Sequence, residues 1–139
     1  MHRRLLVSTL VLGGALAFAT GPVFAQAKKH DHAGHKHTHP TPQHGGILED
    51  VGEYHAELLI KDGKIALFLR DEDAKDVDIQ GFKASVLITA GSQRLGPFEL
   101  KPAGKGLEAP ASGVPAGATA ILTLTDKGGT AAQARFKLP

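Results

Sequence analysis

The stretch Tyr54-His55-Ala56-Glu57-Leu58-Leu59-Ile60-Lys61, then Asp62-Gly63, then Lys64-Ile65-Ala66-Leu67-Phe68-Leu69-Arg70, constrains the fold more than any other part of the chain. Two alternating segments flank an Asp-Gly pair. That pair favours a two-residue hairpin turn, because both central positions need positive φ. The turn sets the register. Ile60 then faces Ile65, Leu58 faces Leu67 and Ala56 faces Leu69, with Tyr54 continuing the row. The other side pairs Leu59 with Ala66, Glu57 with Phe68 and His55 with Arg70. A slip of one residue would scatter the apolar set between the two faces, so pattern and turn support each other.

Short alternating runs separated by Gly, Pro and Asp fill the chain from Ile47 onward. Lys83 to Thr89 places Ala84, Val86 and Ile88 on one face. Arg94 to Leu100 carries Pro97, which points to an edge strand or a bulge. Lys101 to Gly106 reads as loop and Leu107-Glu108-Ala109 as a short strand. Ala118 to Thr125 is rich in β-branched residues, and Thr130 to Leu138 puts Ala132, Ala134, Phe136 and Leu138 on a common face. Turn signals at this spacing, with no helical period, predict an all-β domain over residues 47–139. The expected architecture is an antiparallel β-sandwich, Ig-like or similar, or a barrel, of roughly six to eight short strands. The acidic run Asp71-Glu72-Asp73-Ala74-Lys75-Asp76 is read as a solvated loop. A calcium loop would need glycine where Asp76 stands and glutamate where Phe82 stands.

The first residues follow a different pattern. Arg3-Arg4 precede a charge-free apolar run from Leu5 to Thr20, Gly21-Pro22 interrupts it, and small residues follow at Ala25 and Ala27. This is the pattern of a secretory signal peptide over residues 1–27, cut after Ala25 or after Ala27. As a membrane anchor the run is too short, since a spanning helix needs roughly 20 residues. The expectation is an exported protein, periplasmic or secreted, with no membrane span after cleavage. Loss of both leader arginines would leave 14 basic against 14 acidic residues. A mature chain of that balance lacks the basic patch needed to neutralise phosphates, so nucleic acid is not the expected partner.

Between leader and domain lies a run rich in histidine, His30-Asp31-His32-Ala33-Gly34-His35-Lys36-His37-Thr38-His39-Pro40-Thr41-Pro42-Gln43-His44. Six of the eight histidines of the chain stand in it. Imidazole near neutral pH is the commonest protein metal ligand, and His-x-His spacing lets two rings reach one ion, so the run points to metal binding. A solvated polar linker is the alternative reading. The chain has no cysteine, and its one methionine leaves with the leader. Without soft ligands Cu(I) is disfavoured, and imidazole with carboxylate suits Zn(II), Cu(II) or Ni(II). Residues 28–46 lack apolar periodicity and are expected to be a disordered tail, since they bury too little to offset an ordering entropy of roughly 1–2 kcal/mol per residue. The sites expected there are labile. A cut after Ala27 would also place His30 third behind a free amine, a donor set that suits square-planar Cu(II) or Ni(II).

His55 and Glu57 stand two apart on one strand and point the same way. They can share an ion with His44 if Gly45-Gly46 folds the tail back. The alternative is that His55 is an ordinary surface residue and Glu57 pairs diagonally with Arg70. The candidate metal ligands are therefore His30, Asp31, His32, His35, His37, His39, His44, His55 and Glu57. An enzyme is not expected. The folded part holds one histidine, no cysteine and no Gly-x-Ser-x-Gly elbow, so a nucleophile with an oriented base is hard to assemble.

His44-Gly45-Gly46, Tyr54-His55-Ala56-Glu57-Leu58, the hairpin at Asp62-Gly63 and the acidic segment Asp71 to Asp78 carry a resemblance. From Gln43 to Leu138 the chain resembles small exported bacterial proteins associated with heavy-metal resistance, and a domain of metal-efflux adaptor proteins. The His-rich tail is a variable addition to that pattern. The resemblance implies a periplasmic β-sandwich that binds divalent metal or docks on an efflux complex, with His44, His55 and Glu57 as the matching positions. Two functions follow as expectations. One is a metal-binding protein that buffers or delivers Zn(II), Cu(II) or Ni(II), and the other is a β-sandwich module that docks on an envelope complex.

Overall fold

The structure, a computed structural model, describes residues 40–139. Among the described residues there are eight antiparallel strands: β1 (Ile47–Val51), β2 (Tyr54–Lys61), β3 (Lys64–Arg70), β4 (Lys83–Ala90), β5 (Gln93–Ala103), β6 (Gly106–Pro110), β7 (Thr119–Thr125) and β8 (Ala131–Lys137). No helix occurs among the described residues, and none there is long and apolar enough to cross a membrane. The all-β antiparallel class expected from the alternation is the one found.

The β2–β3 hairpin has the register that its turn demands, with Ile60 opposite Ile65, Leu58 opposite Leu67 and His55 opposite Arg70. Asp62 and Gly63 take φ values of 52° and 72°, the left-handed pair that made Asp-Gly the signal. Along the sheet the strands run β1-β2-β3-β6-β5-β4-β7-β8. β5 joins the two halves. Its residues from Gln93 to Leu100 pair with β4, and Lys101 to Ala103 pair with β6. Within the β4 ladder Gly96 and Pro97 stand opposite the single residue Leu87, because the register shifts between Val86 and Ile88. Such a bulge bends a strand and raises its twist, which lets one strand serve both halves. β1 and β8 come side by side at the ends of the order without a ladder between them, so the sheet is a nearly closed barrel.

Inside, Leu58, Ile65, Leu67 and Leu107 from β2, β3 and β6 meet Val86, Ile88, Leu122, Leu124 and Phe136 from β4, β7 and β8. Each comes from the apolar row of an alternating strand. With no disulfide in the chain, burial of these side chains, about 1.5–3 kcal/mol for each, holds the two halves together.

Two boundaries differ from expectation. Lys101 to Gly106 is not loop: β5 runs on to Ala103, Gly104 and Lys105 turn, and β6 begins at Gly106. Pro102 and the glycines mimic loop composition there. The proline is tolerated because β5 leaves β4 after Leu100 and is then paired on one side only. The folded unit also begins before Ile47. Residues 41–46 lie across the outer face of β2 and β3 as a strap, held by the contacts described next.

Candidate functional site

The outer face of β2 and β3 carries His55 and Glu57 from one strand and Phe68 and Arg70 from the other. Polar residues on an outer face are ordinarily wet. Here Glu57 is fully buried and Arg70 and His55 nearly so, and the strap contacts Glu57 and Arg70 directly.

Glu57 is the anchor. Its Oε1 accepts the backbone N–H of His44 at 2.7 Å and of Gly46 at 3.0 Å. Its Oε2 accepts the N–H of Gln43 at 2.9 Å and lies 3.0 Å from His44 Nδ1. An ionised carboxylate has about four acceptor positions, and these contacts occupy them. The Arg70 guanidinium stands 3.8 Å from Oε2 and donates to the carbonyl oxygen of Thr41 at 3.0 Å. Burial raises the pKa of the Glu57 carboxyl. The N–H groups of Gln43 and Gly46, the His44 ring and the His44 N–H outweigh burial and hold it below its ordinary value.

Packing completes the clasp. The His44 ring lies parallel to Phe68, with centroids 3.6 Å apart and planes 8° from parallel. Gly46 admits no side chain, since a Cβ there would sit 2.6 Å from the carbonyl oxygen of Leu58. The sequence His44-Gly45-Gly46 thus supplies a stacking ring and then a backbone thin enough to rest on β2.

His55 has a different partner. Its Nδ1 lies 2.6 Å from Oδ1 of Asp50, directly opposite on β1, and Asp50 is mostly exposed. The side chain of His55 is buried, and its Nε2 has no hydrogen-bond partner among the described residues. A buried polar atom in that state costs about 1–3 kcal/mol.

Of the candidate ligands, the structure brings His44 and Glu57 together, as folding back at Gly45-Gly46 required. His55 shares their face but turns its Nδ1 to Asp50. His30, Asp31, His32, His35, His37 and His39 lie outside the described residues, as does the leader. Among the described residues no group of three or more His, Cys, Asp or Glu side chains is arranged to hold a metal ion. The diagonal pairing of Glu57 with Arg70 also exists, alongside the strap. Asp50 is the residue that sequence reasoning missed. A two-residue turn at Gly52-Glu53 would have placed it opposite His55, and Gly52 takes a φ of 61° there. The acidic loop after β3 is closed by its own turn, with Asp71 Oδ1 accepting the N–H groups of Asp73 and Lys75.

Compared with known proteins, the chain matches no family model, no curated protein and no solved structure.

Proposed function

We propose that this chain is an exported, periplasmic, non-enzymatic protein that binds divalent metal and buffers or delivers Zn(II), Cu(II) or Ni(II) in heavy-metal homeostasis or resistance. One observation carries the reading. Six imidazoles and Asp31 lie between His30 and His44, and the last of those residues is clamped by Glu57 onto a folded domain. A tail of this composition gives several overlapping imidazole sites, each releasing protons as it fills. The domain then serves as the body that carries the tail, and exchangeable binding suits delivery.

Native mass spectrometry of the exported protein, purified without a tag and titrated with Zn(II), Cu(II) and Ni(II), tests the proposal. Retained ions that disappear when residues 28–44 are deleted support it. A chain starting at Lys28 with a preference for Cu(II) supports an amino-terminal site at His30. No retained metal at micromolar excess refutes the proposal and leaves docking on an envelope or efflux complex as the working function.

A further inference from the structure

The strap lies on β2 and β3, and the other half of the barrel turns a second outer face to solvent. In β4, β7 and β8 every second residue packs into the core, so the residues between them point outward. The ladders set these outward residues in rows. One row runs from Arg94 of β5 through Thr89 and Thr119 to Lys137 of β8. The next holds Leu87, Ile121 and Arg135, and Lys83 stands opposite Thr125 at the far end. Glu99, opposite Ser85, is the one acid these rows contain. Two half-buried aliphatic side chains thus form the centre, bordered by hydroxyls and exposed cations.

The charge of this face is not balanced within the domain. Lys64, Arg70, Lys75, Lys105 and Lys127 each stand 2.9–3.8 Å from a carboxylate. Lys83, Arg94, Arg135 and Lys137 make no ion pair among the described residues, a state shared outside the face by Lys61 and Lys101. Their spacing says what fits. Neighbouring strands lie about 4.8 Å apart, so Arg94 and Lys137 are roughly 14 Å apart across the row. Cations so far apart cannot converge on a single phosphate or carboxylate, and they match a surface that presents several. An aliphatic centre with arginine and hydroxyls around it is also the make-up of a protein interface. A lipid surface would be held by charge alone, because Leu87 and Ile121 are half-buried in the sheet.

We propose that the outer face of β4, β7 and β8, with the start of β5, is a docking surface for an acidic protein partner, gripped by Lys83, Arg94, Arg135 and Lys137 around Leu87 and Ile121. It is independent of metal binding and uses neither strap nor tail. Three ladder spacings by about seven residues of strand give the face roughly 300 Å². Each side of a stable interface contributes about 800 Å², so this contact is transient and steered by charge.

The test uses the whole protein, purified without a tag and labelled with nitrogen-15, and a synthetic peptide of glutamate and aspartate around a central leucine. The peptide is expected to shift the amide resonances of Leu87, Thr119, Ile121 and Arg135 and to leave those of the β2–β3 hairpin in place. Arg135→Glu should weaken binding about tenfold or more, because it sets like charges together. Lys75→Glu makes the same change of charge in the acidic loop and should alter binding by less than about twofold, since salt screens charges at that distance. Shifts scattered over every exposed lysine, equal effects of the two variants, or no shift at millimolar peptide would overturn the proposal. It also falls if the same shifts appear without peptide as the protein is concentrated, which makes the occupant a second copy. Tighter binding to vesicles containing phosphatidylglycerol than to the peptide would overturn it in favour of a lipid surface.

Discussion

His44 lies flat on Phe68, ring centroids 3.6 Å apart, so the last histidine of the run is also a packing element of the domain. Replacing Phe68 with leucine keeps an apolar surface and removes the stack. Phe68→Leu is expected to destabilise the protein by about 0.5–1.5 kcal/mol and to erase the ring-current shifts of the His44 protons. Unchanged His44 shifts in the variant would contradict the stacked arrangement.

Glu57→Gln keeps the shape of the anchor but turns one acceptor into a donor. Whichever way the amide points, at least one strap donor then faces an N–H, and Arg70 loses its charged neighbour. The expected loss is about 1–3 kcal/mol in chemical denaturation. Amide exchange at Gln43, His44 and Gly46 should accelerate well before that of the β4–β7 ladder.

The close approach at Gly46 sets a steric limit. In Gly46→Ala the new methyl carbon meets the Leu58 carbonyl at 2.6 Å, and the nearest atoms are backbone that cannot rotate away. A cost of about 1–3 kcal/mol is expected, with the strap lifted from β2. Stability equal to that of the parent would mean the strap does not sit where described.

Acid should release the strap. The Glu57 carboxyl titrates below its ordinary value when folded, so its contribution is fully present above about pH 4.5 and fades as the pH falls through the lower folded value. Denaturation midpoints measured from pH 6 down to pH 3 should fall more steeply in the parent than in Glu57→Gln, which has no proton to take up.

If the tail carries metal as proposed, binding competes with protonation of its imidazoles. Retained Zn(II) should fall as the pH drops below about 6.5, and it should recover on neutralisation. Retention that is flat from pH 7.5 to 5 would point away from histidine ligands.

Much of the fold could be read from the chain because alternation and turn chemistry are local. Asp62-Gly63 specified the β2–β3 register residue by residue, and the apolar rows of β4 and β8 declared part of the core. The strap was illegible for a physical reason. Three backbone N–H groups converging on one carboxylate from 11 to 14 residues away leave no period in the sequence, and a run containing Pro40, Pro42, Gly45 and Gly46 has the composition of disorder. The Asp50 partner of His55 was missed because Ile47-Leu48-Glu49-Asp50-Val51 shows little alternation of its own. Its strand identity comes from β2, against which it pairs.

The meeting of β1 and β8 bears on how the molecule behaves among other proteins at high concentration. An open sheet ends in two rows of unpaired N–H and C=O groups, and each is a template on which a foreign strand can grow. Here the two rows are neighbours, so each lies in the shadow of the other and an incoming strand finds no clear approach. Self-association by strand addition is thereby discouraged by the first and last strands alone, without a covering helix.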